Sequence, residues 1–182
     1  MHPMTADNLR SAFSGESQAH MRYLVYSERA RADKLPNVAR LFEAISWAEQ
    51  IHASGHFREL RDQTGAAATV AHAGFGLGGS AQNLGVAIAG EEFEIAEMYP
   101  AYKAVAKAQG EKGPLRSFDW AYQAEQTHAG LFRQARAAVE SGRDWETSPV
   151  QVCAVCGHTV VGDAPDRCPI CNAGRDKYHP FV

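Results

Sequence analysis

Glu49-Gln50-Ile51-His52 and Glu125-Gln126-Thr127-His128 are the two stretches whose reading decides the fold. Each is an ExxH step. Residues three apart on an α-helix project from one face a turn apart, so each step can give an oxygen and a nitrogen to one small volume. Glu16 stands 33 positions before Glu49, and Glu91 stands 34 positions before Glu125. A single glutamate on a helix usually faces water. Two matched sets, each a glutamate followed at nearly the same distance by ExxH, instead describe two helical hairpins that carry the same inward-facing pattern.

The flanking residues supply the helices. From Thr5 to about Arg31, Leu9, Ala12, Phe13, Ala19, Tyr23, Leu24 and Tyr26 recur near helical spacing. Pro36 suits the first turn of a second helix, in which Val38, Leu41, Phe42, Ile45, Ala48, Ile51 and Leu60 continue the period to a stop at Gly65. A third helix is expected from about Ala81 to Gln109, kinked at Pro100. A fourth is expected from about Leu115 to Ser141, entered after Gly113-Pro114 and left at Gly142. The short joints make each pair an antiparallel hairpin. The 17 residues from 64 to 80 differ. At roughly 3.3 Å each they reach about 56 Å, enough for a crossover along a whole bundle or for exchange of a hairpin with a second subunit.

Four carboxylates and two imidazoles facing inward from four helices are the ligand set of ferritin-like di-iron bundles. Glu94 lies three residues after Glu91 on the same side, with Glu92 and Glu97 as competitors nearby. It would raise the carboxylates to five. Buried without compensation, such a group would take up protons, whereas two iron ions bring four to six positive charges. Metal binding is therefore expected to release protons. Carboxylate oxygens with imidazoles suit iron or manganese. Tyr23, seven residues beyond Glu16, returns to almost the same helical face about 10.5 Å along the axis, within reach of a ligand carboxylate. Tyr99 offers the same, and both also fit as core aromatics. His20, His56 and His72 have no comparably spaced partners and read as surface groups or supports behind the ligands.

After Trp145 the character changes. Pro149, Pro165, Pro169 and Pro180, with Gly157, Gly162 and Gly174, leave no room for a useful helix. The expected organisation is a helical unit over residues 1–145 and a small unit of short β-strands and loops over 150–182. The second unit is below the roughly 40 residues at which an apolar core usually suffices, so a metal must help hold it. Cys153-Ala154-Val155-Cys156 and Cys168-Pro169-Ile170-Cys171 hold all four cysteines. They form two turns able to present four thiolates to one tetrahedral ion, which suits zinc and iron alike.

The whole composition agrees with a globular protein that has a real core. The 182 residues are 45% apolar and carry a formal charge of −3, which excludes disorder and offers no basic footprint for nucleic acid. Met1 to Arg10 holds no apolar run of signal-peptide type. The charge-poor stretch 65–90 is broken by Gly74, Gly76, Gly78 and Gly79, so no membrane span is expected. The chain is expected to be cytoplasmic, where paired CxxC means metal before disulfide. No GxGxxG fingerprint marks a nucleotide site.

With both sites in place the chain resembles the rubrerythrin family from end to end. The likeness rests on Gly15-Glu16-Ser17-Gln18-Ala19, the two ExxH steps, Gly90-Glu91-Glu92-Phe93-Glu94 with Glu97-Met98-Tyr99-Pro100, and the Cys156-Gly157 and Cys168-Pro169 steps. The 11 residues between the cysteine pairs are also typical of the family. The resemblance implies an all-α four-helix, ferritin-like di-iron bundle followed by a rubredoxin-like domain. It implies Glu16, Glu49, Glu91, Glu94, Glu125, His52 and His128 as di-iron ligands, and Cys153, Cys156, Cys168 and Cys171 as ligands of a single iron. One iron of the family shifts between a carboxylate and a histidine, here matching Glu94 and His52. His158 stands where many relatives have an aromatic residue.

The activity implied is reduction of hydrogen peroxide to water. Electrons would come through the thiolate-bound iron from a separate NAD(P)H-dependent donor or a rubredoxin, with Tyr23 or a protonated carboxyl as proton source. The head-to-tail homodimer of the family, or a higher homo-oligomer, would set the thiolate-bound iron of one subunit near the di-iron site of another. Two other classes share these residues: an iron-oxidising or storage bundle, and a binding module with zinc at both sites.

Overall fold

The computed structural model describes residues 1–146 and 149–182. The expected boundary between 145 and 150 falls partly on residues 147 and 148, which lie outside the described residues. Helix α1 is Pro3–Ala32 and α2 is Pro36–Glu59. Helix α3, Ser80–Phe93, runs through a π-helical turn, Glu94–Met98, into α4, Tyr99–Ala108. Helix α5 is Lys112–Glu140. The α1–α2 pair and the pair formed by α3–α4 with α5 make the two hairpins of a four-helix bundle. No helix among the described residues is long and apolar enough to cross a membrane.

Two boundaries and one distortion differ from expectation. Helix α2 ends at Glu59 rather than near Gly65, because Leu60 turns back against the far end of the bundle and the chain leaves through Asp62. Helix α5 begins before Gly113-Pro114, not after it. Pro114 falls in the first turn, where the missing N–H has no intrahelical acceptor to lose. The distortion expected at Pro100 is a π-turn just before it, with the Tyr99 N–H bonding to Glu94 O five residues back. A π-turn inserts one residue into a helix, a feature concentrated at functional sites.

The long joint is a crossover within the chain. It follows the outer face of α1, where Ser11 Oγ donates to Val70 O (2.7 Å), Gln18 Nε2 to Gly74 O (3.2 Å) and the Tyr26 hydroxyl to Gly76 O (3.0 Å). Asp33, just past α1, then accepts from Ser80 N and Oγ and so caps the start of α3.

The core has two apolar ends with a polar layer between them. At one end Tyr23, Tyr26, Phe42 and Phe132 pack as one aromatic group, with the Phe42 and Phe132 rings 5.3 Å apart. At the other, Leu9, Leu60, Tyr99 and Phe118 close the bundle. Glu16, Glu49, His52, Glu125 and His128 fall between these groups along their helices.

The C-terminal residues form an antiparallel sheet of β1 (Val150–Cys153), β2 (Thr159–Val161) and β3 (Tyr178–Phe181). Strand β1 is central, pairing Val150 with Val161 on one side and Val152 with His179 on the other. Val150, Val152 and Trp145 join the apolar group built on α2, so the sheet shares a core with the bundle.

Phe42 is fully buried at the centre of the aromatic group. Phe42→Ala is expected to destabilise the metal-loaded protein by about 3–5 kcal/mol in denaturant unfolding, the usual cost of such a cavity. A loss below about 1 kcal/mol would place the ring outside the core.

Candidate metal centres

The carboxylate layer resolves into two donor sets. Glu16, Glu49, His52 and Glu125 offer atoms within 4.8 Å of one another, and so do Glu49, Glu91, Glu125 and His128. Glu49 and Glu125 belong to both sets. Two cations held this way would share those two carboxylates, with Glu16 and His52 completing one position and Glu91 and His128 the other.

Both histidines turn Nδ1 toward the carboxylates. His52 Nδ1 is 2.9 Å from Glu49 Oε2 and 2.8 Å from Glu125 Oε1. His128 Nδ1 is 2.7 Å from Glu125 Oε2 and 3.5 Å from Glu49 Oε1. One oxygen of each of four carboxylates, Glu16 Oε2, Glu49 Oε1, Glu91 Oε2 and Glu125 Oε1, is buried without a hydrogen bond. Glu125 Oε1 is close to His52 Nδ1, but that nitrogen bonds to Glu49 Oε2 instead. Four carboxylate oxygens without a hydrogen bond crowd around two imidazole nitrogens, too few to satisfy them all, and a pair of cations fits them.

The remaining oxygens are held from behind. The Tyr23 hydroxyl donates to Glu91 Oε1 at 2.6 Å, and the Tyr99 hydroxyl donates to Glu16 Oε1. Each tyrosine thus reaches across to the carboxylate of the other hairpin. Glu94 lies outside both donor sets, at the first residue of the π-turn. It is near enough to feel them. Burial of the carboxyl, then the charges of Glu16, Glu125 and Glu49, push it well above the usual carboxylate range, although the residue as a whole keeps some exposure.

The four cysteines also come together. Cys153 and Cys171 sulfurs are 3.7 Å apart, and those of Cys156 and Cys168 3.5 Å. Bonds of about 2.3 Å to a tetrahedral ion would space sulfurs about 3.8 Å apart, whereas a disulfide needs about 2.05 Å. Hydrogen bonding from Cys156 draws the Cys153 thiol down to about 5, while burial pushes Cys171 up to about 11. His158 keeps an aromatic place: it is buried, edge-on to Tyr178, with Nδ1 2.8 Å from the Tyr178 hydroxyl.

Sequence spacing did not reveal how the two clusters meet. His52 Nε2 lies 3.1 Å from the carbonyl oxygen of Cys156. His128 Nε2 lies 3.3 Å from that of Gly157 and 3.0 Å from Thr159 Oγ1. A carbonyl only accepts, so Nε2 carries the proton and Nδ1 presents its lone pair to the carboxylate layer when a metal is bound. Gly157 has φ +80°, and a β-carbon there would overlap His52 Nε2. The CxxC-Gly step was the available signal. Within this chain the two clusters already meet through these contacts.

Ionisation in the metal-free protein follows from burial. Glu49 and Glu91 are raised, first by burial and then by neighbouring carboxylate charge. For Glu125 burial acts upward, but His52 and His128 bring it below its ordinary value. Burial opposes the charged ring of His128, yet Glu125 lifts it to about 9. A group raised in the folded state supports folding below its unfolded value and loses that support as pH climbs to the folded one. The melting temperature of the metal-free protein is therefore expected to fall between pH 6.5 and 9, while the gain on metal loading grows, since metal displaces the same protons. Calorimetry of both forms across that window checks this, and a flat or rising metal-free curve would contradict it.

Comparison with known proteins agrees with this geometry. The rubrerythrin family model matches residues 7–136, and the model of the rubrerythrin rubredoxin-like domain matches residues 151–179. Rubrerythrin-2 of Clostridium acetobutylicum is 44% identical over 178 residues, covering 98% of this chain and 97% of its own. Nigerythrin of Nitratidesulfovibrio vulgaris is 29% identical, covering 97% and 86%. A structure of nigerythrin in its fully reduced, all-ferrous state superposes with a TM-score of 0.86 at 28% identity, again covering 97% and 86%. The carboxylate–histidine layer and the four-cysteine cluster correspond to a di-iron site and a rubredoxin-like iron site. By both domains and over nearly its full length, the chain belongs to the rubrerythrin family.

Proposed function

We propose that this chain is a peroxide reductase, converting hydrogen peroxide to water with two electrons and two protons. The electrons come singly, through the four-cysteine site, from a separate NAD(P)H-dependent reductase or a rubredoxin. The observation that carries this reading is the pair of hydrogen bonds from His52 and His128 to the carbonyls of Cys156 and Gly157. A cysteine site meant only to stiffen a small domain has no need to abut both imidazoles.

Glu16, Glu49, His52, Glu91, Glu125 and His128 would hold the di-iron centre, with Glu94 at its rim, and Cys153, Cys156, Cys168 and Cys171 the single iron. Bound there, the irons supply Lewis acidity and electrons for breaking the O–O bond. The protein does the rest. Glu49 and Glu125 tie the two positions to one spacing, and burial of the whole layer keeps bulk water out. Tyr23 and Tyr99 keep their protons, because burial and the adjacent carboxylates push both hydroxyls well up. They can therefore hold Glu91 and Glu16 by donation throughout. Glu94, at the first residue of the π-turn beside the layer, is placed to supply an extra oxygen or, when protonated, a proton. Cys156, through its own carbonyl, connects the sulfur cluster to His52 by covalent bonds and one hydrogen bond.

Anaerobic reduction followed by stoichiometric peroxide tests the reading, with metal content and both iron absorption bands followed together. About three irons per chain and rapid reoxidation of both sites are expected. Faster consumption of oxygen than of peroxide with mineral accumulation, or a colourless zinc protein, would overturn it. Glu49→Ala should abolish peroxide turnover and leave the iron–thiolate spectrum intact. Unchanged turnover would refute the assigned site. Gly157→Ala should slow reoxidation of the four-cysteine iron about 10–100-fold, the range seen when a partner behind a metal-bound histidine is lost. The same rate as wild type would show that the docking contact carries no electrons.

A further inference from the structure

One fully buried imidazole has no ligand role. His56 follows His52 by one turn of α2 and is 0% exposed, against Phe118 and Tyr99. Its Nε2 is 3.0 Å from the Tyr99 hydroxyl and its Nδ1 is 2.8 Å from Ser117 Oγ. The direction of each bond follows from counting protons. The single Tyr99 proton goes to Glu16, because a carboxylate only accepts. The Tyr99 oxygen must then receive from His56, so Nε2 bears the hydrogen. In the neutral ring Nδ1 accepts, and Ser117 donates. Gly55 leaves room for that hydroxyl, since a β-carbon there would stand 3.3 Å from Ser117 Oγ. The result is a line of donors, Ser117 to His56 to Tyr99 to Glu16, all pointing toward the carboxylate layer.

The other hairpin offers a built-in comparison. Phe132 follows Glu125 by seven residues, as His56 follows Glu49, and Leu41 precedes Glu49 by eight, as Ser117 precedes Glu125. Phe132 packs edge-on to Tyr23 at 5.3 Å, and both Phe132 and Leu41 lie in the apolar core. Tyr23 therefore donates to Glu91 with only hydrocarbon at these positions behind it, whereas Tyr99 donates to Glu16 with two further donors in line. Packing alone is met by the apolar pair. The buried polar pair has another effect: aligned donors polarise one another, and the last bond is the one strengthened.

We propose that His56, fixed by Ser117, is a positioning residue that makes the two metal positions unequal. By donating to Tyr99 it strengthens the bond that the tyrosine donates to Glu16 Oε1 and so withdraws charge from that carboxylate. The position completed by Glu16 and His52 is thereby the weaker of the two. This rests on the metal-centre reading above and is independent of peroxide as the oxidant.

Zinc, redox-silent and diamagnetic, is the probe, titrated into the metal-free full chain against a chromophoric chelator. Three zinc ions per chain are expected, the last at the weaker bundle position. His56→Phe, which keeps a ring in the same packing, should tighten that last step about three- to tenfold. His56→Gln, which can still donate and accept, should restore the wild-type value. Nitrogen-15 spectra of the zinc-loaded wild type should show His56 protonated at Nε2 and bare at Nδ1. A weaker step that is unchanged or loosened in His56→Phe, or a ring protonated at Nδ1, overturns the proposal. If His56→Phe does not fold, Ser117→Ala, which frees the ring from its outer donor, should tighten the same step, and no change there overturns it equally. Fewer than two zinc ions in the bundle would instead overturn the metal-centre reading itself.

Discussion

Anionic oxygens with no hydrogen-bond partner, packed into a layer that water does not reach, are the constraint on which the rest of this structure depends. Four carboxylates each leave one oxygen bare there, and two imidazole nitrogens face them at 2.7–3.9 Å. Without cations the layer holds protons on Glu49 and Glu91, raised by burial, and on His128, raised by Glu125. With cations the same geometry becomes a ligand cage. The two apolar ends of the bundle give the rigidity that keeps the layer from relaxing into solvent.

The second centre is tied to the first through two backbone carbonyls and the Thr159 hydroxyl. Carbonyls of the loop that carries Cys156 accept from both histidines, so the loop that binds one metal also orients ligands of the other. The group that orients a metal-bound histidine is normally a carboxylate, a backbone carbonyl or a water. Here the carbonyls belong to the neighbouring cluster, so the orientation of both rings depends on how the small sheet sits on α2 and α5.

Much of this was legible because helical geometry turns spacing into position. The ExxH steps and their distant glutamates gave the bundle and its inward face. The two hairpins differ by one residue, 33 against 34 between glutamates and seven from Glu16 to Tyr23 against eight from Glu91 to Tyr99. The π-turn at Glu94–Met98 takes up that extra residue, so both tyrosines still reach the opposite carboxylate. What spacing could not give was contact between distant segments. Nothing periodic links His52 to Cys156, 104 residues away, or His56 to Ser117. His56 lies on the face of His52, but its value depends on a serine that only the folded bundle brings near. The ends of α2 and α5 were missed for another reason: Leu60 is apolar yet belongs to a cap, and Pro114 is a breaker that a first helical turn tolerates.

Val150 and Val152 are fully buried in the same apolar group as Val38, Leu41 and Ile45. The small sheet is thus a lid on the bundle's hydrophobic interior as much as a holder of sulfur. The two parts are not independent modules, because each supplies part of the other's wall. Replacing the last 33 residues by a free-standing iron–sulfur domain would expose leucine and isoleucine surface and release the histidine rings together. Trp145 and the first strand belong to the wall of the bundle as much as to the cysteine unit.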